Sequence, residues 1–269
     1  MTITRKNKKH AGFTLVELMV SLGIFLVISS AIFGLLGKSQ KQFRTESQVL
    51  SSFEEARLGM DQIVRDINDA GYPPANHFST LPTTDRYAST PVAWAPSYPG
   101  APCVIGTAGG GRYTTRGDFD VIFEGNVDGN TTTNVKWIRY KLTGITLFRA
   151  AIDKTVGGNP DTLTNANLLP YVTNVMNNAP AAQIAQFRAV YPAMFPGGVA
   201  QPIFQYNCDT AANGVQPCTS ALAAGFNSPA NVRDIEITLI VMTPQRDAQT
   251  NMLRLVELNG RGHRINPNQ

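Results

Sequence analysis

Glu17 is the one charged side chain in the apolar run 13–36, FTLVELMVSLGIFLVISSAIFGLL. An ionised side chain at the centre of a bilayer costs on the order of 2.5–3.5 kcal/mol on insertion scales. Near the end of a span the cost is smaller, yet the acid still needs a reason. Just before the run stand Ala11 and Gly12, small residues of the kind found at processing sites. A secretory signal carries such a site after its apolar core, whereas here it comes first. A cut between Gly12 and Phe13 removes the charged leader and keeps the apolar helix. The competing arrangement is an uncleaved signal anchor, in which Gly12 and Glu17 have no special role.

Other side chains able to do chemistry are few. His10, His77 and His263 are the only histidines, and they sit in unrelated contexts. No zinc set and no spaced nucleophile–base set is expected, so the chain reads as non-enzymatic and without a cofactor. Asn126, Asp128 and Asn130 suggest a calcium loop. Counted from Asn126, however, Gly129 falls fourth and Trp137 twelfth, where an EF-hand needs glycine sixth and glutamate twelfth. A turn between strands fits that segment better. The glycines of AGGGR (108–112) lack the strand–helix setting of a phosphate loop. Cys208 and Cys218 are close enough to close a small loop by a disulfide, with a pairing to Cys103 left open.

Length and charge bound the rest. The chain has 269 residues, 43% of them hydrophobic, enough for one sizeable core beyond the apolar run. Arg5, Lys6, Lys8 and Lys9 precede Gly12, which leaves 19 basic against 19 acidic side chains afterwards. The pI near 9.0 therefore belongs to the leader and marks no nucleic-acid surface. Four positive charges beside an apolar helix place the leader in the cytoplasm and the body outside. The 24-residue run 13–36 is long enough to span an inner membrane once.

The string GFTLVELMVSLGIF resembles the type IV prepilin signature: glycine, an aromatic or apolar residue, then TLxE and a hydrophobic helix. The resemblance implies cleavage between Gly12 and Phe13 by a prepilin peptidase, followed by N-methylation of Phe13. Cleavage leaves an ammonium on Phe13, one helical turn from Glu17. In the family picture that carboxylate neutralises a terminal ammonium, commonly a neighbouring subunit's. Opposite charges attract strongly in a low-dielectric setting, where either alone is penalised. Glu17 would then be a docking and register device.

Beyond Leu36 the pattern stays helical. Val49, Phe53, Ala56, Met60, Ile63, Ile67 and Ala70 recur at spacings of four and three, one apolar stripe packing on a core. Arg57–Asp61, Asp61–Arg65 and Arg65–Asp69 are oppositely charged (i, i+4) pairs on its flank. Gly71 fits a C-terminal cap before Pro73 and Pro74. A helix over 13–70 is predicted, in which Gly23, Gly34 and Gly37 lower propensity. A proline-rich loop follows to Pro102. Strands are predicted at 118–125, 134–142, 145–152, 201–207, 232–243 and 252–260, with a short helix between Pro180 and Pro192 and an irregular 153–201 middle.

The expected fold class is α+β, a long helix packed on an antiparallel sheet. The expected organisation is leader 1–12, transmembrane helix 13–36, amphipathic continuation 37–71 and a periplasmic β-rich domain 72–269. This arrangement resembles the pilin fold. EEARLGMDQIVRDINDAGYP, RYKLTGITLFR, FQYN and VRDIEITLIVMT are similar to the helix end and sheet of PilW-type minor pilins. The resemblance implies a structural minor pilin that partners prepilin peptidase, major and minor pilins, an assembly platform and, before assembly, membrane lipid. A J-like pseudopilin of a type II secretion system and an uncleaved membrane-anchored binding module or envelope enzyme are the alternatives.

Overall fold

The computed structural model of the chain describes residues 14–71, 92–93, 118–125, 135–155, 160–210, 214–218, 231–244, 246 and 252–264. Gly12, Phe13, Cys103, His10, His77, the 108–112 glycines, the 126–130 turn and all of the proline-rich stretch except residues 92–93 lie outside them.

The apolar run and the amphipathic stretch form one helix, α1 (Leu15–Asn68), of 54 residues. At 1.5 Å per residue it is about 80 Å long. It runs without interruption through Gly23, Gly34 and Gly37, whose lower propensity, about 1 kcal/mol each relative to alanine, does not break it. The helix stops two residues short of the expected Ala70. Asp69 N–H donates to Arg65 O at 3.0 Å, and the chain then turns at Gly71, where φ is +83°. Gly71 N–H donates to Glu124 O at 2.9 Å, so the helix end is tied to a strand. Of the expected stripe, Ala56, Met60, Ile63, Ile67 and Ala70 are buried. Val49 and Phe53 are only half-buried, because there the helix is leaving the globular body. The three flanking charge pairs do not close among the described residues. Arg57, Asp61 and Arg65 stay exposed, where an ion pair gains little over water.

Two antiparallel sheets stand where one was expected. The first has the order β1 (Val92–Ala93), β2 (Asp120–Gly125), β3 (Lys136–Thr143), β4 (Thr146–Asp153) and β5 (Leu169–Val172). The second has the order β7 (Gly214–Pro217), β6 (Phe204–Thr210), β8 (Val232–Met242) and β9 (Leu255–His263). Thr143 pairs with Thr146, so the β3–β4 turn is Gly144–Ile145, one residue later than expected. Gly144 alone takes a positive φ, +60°, the pattern of a type II′ hairpin. β9 reaches three residues past the expected Gly260, paired with β8 throughout.

The sheets are joined by residues 174–177. β6 begins at Phe204 opposite Ile237, and where β8 runs on past that pair Met176 N–H donates to Ile240 O while Met242 N–H donates to Asn174 O. Asn174, at φ +58°, makes the bend. Asn177 is fully buried with its amide satisfied: Nδ2 donates to Thr238 O and Gln201 O, and Oδ1 accepts from Ile240 N–H. Among the described residues the 153–201 middle holds α2 (Pro160–Ala166), β5, α3 (Ala181–Val190) and a 3-10 turn at Pro196–Gly198.

The main core lies between α1 and the two sheets, with Phe123, Ile138, Tyr140, Phe204, Tyr206, Ile235 and Ile237 facing Ile63 and Ile67. Close approach is bought with glycine at three places. A Cβ on Gly262 would lie 2.5 Å from Ile67, one on Gly260 2.6 Å from Met60 Sδ, and one on Gly59 2.5 Å from Val172. On the outer faces α3 packs on Ile240 and Leu255 through Ile184 and Phe187, and Leu163 of α2 packs by Ile122 and Trp137.

Candidate functional site: the N-terminal helix and its anchorage

Thr14 opens α1 as its N-cap. Its N–H and its hydroxyl both donate to Glu17 Oε2, at 2.9 and 2.8 Å, and its Oγ1 accepts from Glu17 N–H at 3.3 Å. This is a capping box, in which threonine and glutamate satisfy each other's helix-end groups. Glu17 is therefore not a bare carboxylate but one folded back on the helix start. Gly12 and Phe13, on its N-terminal side, lie outside the described residues.

From Leu15 to Leu36 the large apolar side chains are exposed, each by more than half its surface. Among the described residues nothing covers them. The helix passes the length and composition test for a membrane span, with mean hydropathy 2.4 over its most apolar 18 residues and none of that window buried. In the span Ser21 Oγ donates to Leu18 O at 3.0 Å, so its hydroxyl needs no water. Past the span Phe43, Leu50 and Leu58 remain exposed, at 71%, 57% and 71%. At 100° per residue Leu36, Phe43, Leu50 and Leu58 fall on one side of the helix, opposite Ala56, Ile63 and Ile67. The helix thus carries two apolar faces: one buried on the sheets, one free.

What holds this helix on the body is partly ionic. Asp66 is fully buried near the end of α1. Its Oδ2 accepts from Tyr140 OH at 2.6 Å and from Arg149 Nη2 and Nε at 2.8 and 3.0 Å, and Oδ1 accepts from Gln62 at 2.6 Å. Arg149 also lies over the Tyr140 ring, 5.8 Å from its centroid. Burial, and then the Asp66 charge, hold the Tyr140 phenol well above its ordinary range. Tyr171, packed edge-on against Tyr140, is pushed up to about 12, chiefly by burial. Higher on the helix, Glu55 accepts from Thr173 N–H and Oγ1, both at 3.1 Å, beside the bend between the sheets.

Away from the helix, Arg139 is buried and binds Asp120 through Nε and Nη2, while Nη1 reaches Asp161 and so ties α2 to the first sheet. Burial raises the Asp120 carboxyl, and Arg139 works against that shift. Cys208 and Cys218 form the expected disulfide, with Cα atoms 5.1 Å apart, beside the β6–β7 hairpin. His263 meets the buried Asp234 together with Arg261, a surface ionic cluster on β8 and β9.

Sequence reasoning missed Thr14 and Asp66. The Thr14 signal was present, because TLVE is a T-x-x-E capping box before an apolar run. Asp66 gave none: it lies in RDIND beside Arg65 and Asp69, and nothing local separates a buried carboxylate from solvated ones.

Comparison with known proteins adds one match. Residues 7–33 fit the family model described as the prokaryotic N-terminal methylation motif. No curated protein and no solved structure matches the chain. The matched segment takes in Lys8 and Lys9 of the basic leader, Gly12, Phe13, the capping box and most of the exposed apolar helix. It is consistent with membrane anchoring and with processing as a prepilin-type substrate. The chain thus carries the N-terminal motif of type IV pilin-like proteins, on a long helix packed against antiparallel sheets.

Proposed function

We propose that the chain is a structural, non-enzymatic minor pilin of a type IV pilus. A prepilin peptidase cuts it between Gly12 and Phe13, and Phe13 is then N-methylated. The helix holds it in the inner membrane with its β-rich body in the periplasm until an assembly platform draws it into a filament. There Glu17 balances a terminal ammonium and α1 packs beside the helices of major and minor pilins. The large, loop-rich body suits a subunit that primes or caps a filament more than one stacked many times.

The observation that supports this reading best is the free apolar face of α1. Leu58 lies 22 residues past Leu36, about 33 Å along the axis. The hydrocarbon core of a bilayer is about 30 Å thick and the span 13–36 already fills it, so lipid does not cover Leu50 or Leu58. A neighbouring helix of similar length does.

The test is mass spectrometry of the chain purified from its own cells. A mature chain beginning at methylated Phe13 and recovered with sheared pili is the expected result. A chain beginning at Met1 overturns the assignment. Recovery with secretion-system components in place of pilus subunits moves it to a J-like pseudopilin.

A further inference from the structure

Between Asp161 and Asp209 the chain carries a single charged side chain, Arg188, in the last turn of α3. Arg188 is exposed, and among the described residues it makes no ion pair and no hydrogen bond. It nevertheless has a seat. α3 and the 3-10 turn at Pro196–Gly198 flank an open cleft of about 420 Å³, lined by Ala185, Arg188, Ala189, Gly197 and Gly198. Gly197 and Gly198 take positive φ, +72° and +71°. A Cβ on Gly198 would lie 3.1 Å from Arg188 Nη1 and 3.5 Å from its Cδ, so the side chain rests along backbone that glycine leaves open. We propose that this cleft is a docking site for a carboxylate of another protein, an aspartate or glutamate set among small and apolar residues.

Both walls of the cleft are fixed before anything binds. Ile184 and Phe187 pack α3 on Ile240 and Leu255, and Phe187 stacks on the fully buried Phe195, ring centroids 6.2 Å apart. Gln201 Nε2 donates to Val199 O at 2.9 Å and to Pro196 O at 3.4 Å, which braces the turn. An arginine laid against such a wall has less freedom to lose on docking, and its planar fork fits a carboxylate with two parallel hydrogen bonds. Charge complementarity selects the occupant, because the lining holds one positive charge and no acid to answer it. Val190 and Val199 nearby are exposed by 48% and 59%. One arginine in an apolar, charge-depleted surround is the composition of the central part of a protein–protein interface. An anionic lipid surface is instead met by clusters of about four to eight basic side chains, which this stretch lacks. The cleft is also within reach of a neighbour in the same membrane. β9 and α1 run the same way, Gly260 against Met60 and Gly262 against Ile67, so Leu255 and the α3 packed on it lie at the end of the body nearer the apolar span. The partner is defined by its carboxylate, so the inference does not depend on the filament reading.

The full-length chain is expressed in its native host with a photo-crosslinking benzoylphenylalanine in place of Val199, at the rim of the cleft. Cells are irradiated and the crosslinked peptide is identified by mass spectrometry. The expected product is a peptide of another protein carrying an aspartate or glutamate close to the crosslinked residue. Arg188→Glu should lower its yield about tenfold or more, the worth of a hydrogen bond to a charged group. Replacing the partner's acid by arginine should restore the yield in the Arg188→Glu chain and lower it in the wild type. A yield unchanged by Arg188→Glu, a crosslinked peptide without an acid, or a charge swap that fails to rescue overturns the proposal. So does the absence of any crosslink, and so does a crosslink to phospholipid, which assigns the surface to the membrane. Arg188 lies outside the core, so the melting temperature of the detergent-solubilised Arg188→Glu chain should equal that of wild type. If it falls, the charge swap alone decides, because reversing the partner's charge rescues a contact and not a fold.

Discussion

At the scale of single residues, Asp66 contributes most where the apolar pattern is silent. It is the acceptor for Tyr140, Arg149 and Gln62, so truncating it leaves a buried phenol and a largely covered guanidinium without it. Removing one partner of a buried pair costs roughly 3–5 kcal/mol, and the partial exposure of Arg149 puts the expected loss for Asp66→Ala at the lower end, about 3 kcal/mol. Urea unfolding of the full chain in detergent measures it; a loss below about 1 kcal/mol contradicts the anchoring role. The same site sets an alkaline limit. An unfolded tyrosine ionises near pH 10, whereas folded Tyr140 keeps its proton well above that and Tyr171 to about 12. Both folded values are raised, so their contribution is complete below about pH 10 and is lost as pH rises beyond it. Melting temperature should fall as pH rises from 10 to 12, and less steeply in Tyr140→Phe. At the leader, Gly12→Ala should leave an unshortened chain on mass spectrometry, with the body still folded.

At the scale of elements, α1 is fixed by shape on one side and left free on the other. Gly262 sits where a side chain would enter the space of Ile67. Gly262→Ala should cost about 1–3 kcal/mol, typical of overpacking, because both the β-branched Ile67 and the strand backbone are stiff. Thermal unfolding checks it, and an unchanged midpoint counts against such tight helix–strand contact. The opposite face gives the opposite expectation. Leu50→Lys and Leu58→Lys touch no core residue and should leave the melting temperature unchanged, yet reduce recovery in filaments several-fold. Helix, hairpin and strands were legible because each carries a period, 3.6 or 2, over many residues. β5 was not: LPYV is short, contains Pro170 and leaves Leu169 exposed, so no alternation marks it. α2 is one short helix opening on a proline, held in place by Arg139 from a distant strand.

At the scale of the whole molecule, the second sheet closes on itself through Cys208–Cys218 and on the first through residues 174–177. Removing the disulfide as Cys208→Ser/Cys218→Ser should cost about 2–3 kcal/mol, the chain-entropy value for so short a loop. Reduced and oxidised chains compared by urea unfolding provide the test, with unchanged stability as the contrary outcome. Such a loss should be felt in β6 and β7 and spare the exposed helix, which the body does not cover. What the sequence alone determined is local and one-dimensional: the basic N-terminal stretch, the apolar span with its one acid, and the helical stripe. Each is written in neighbours within a few turns, where period and charge suffice. The tertiary structure decided that the strands divide into two sheets, that Asp66 alone among its charged neighbours is buried, and that glycines at three positions, Gly59 on the helix and Gly260 and Gly262 on β9, let helix and sheets approach. Those outcomes depend on which distant side chain arrives within a few ångströms, and no spacing along the chain encodes that.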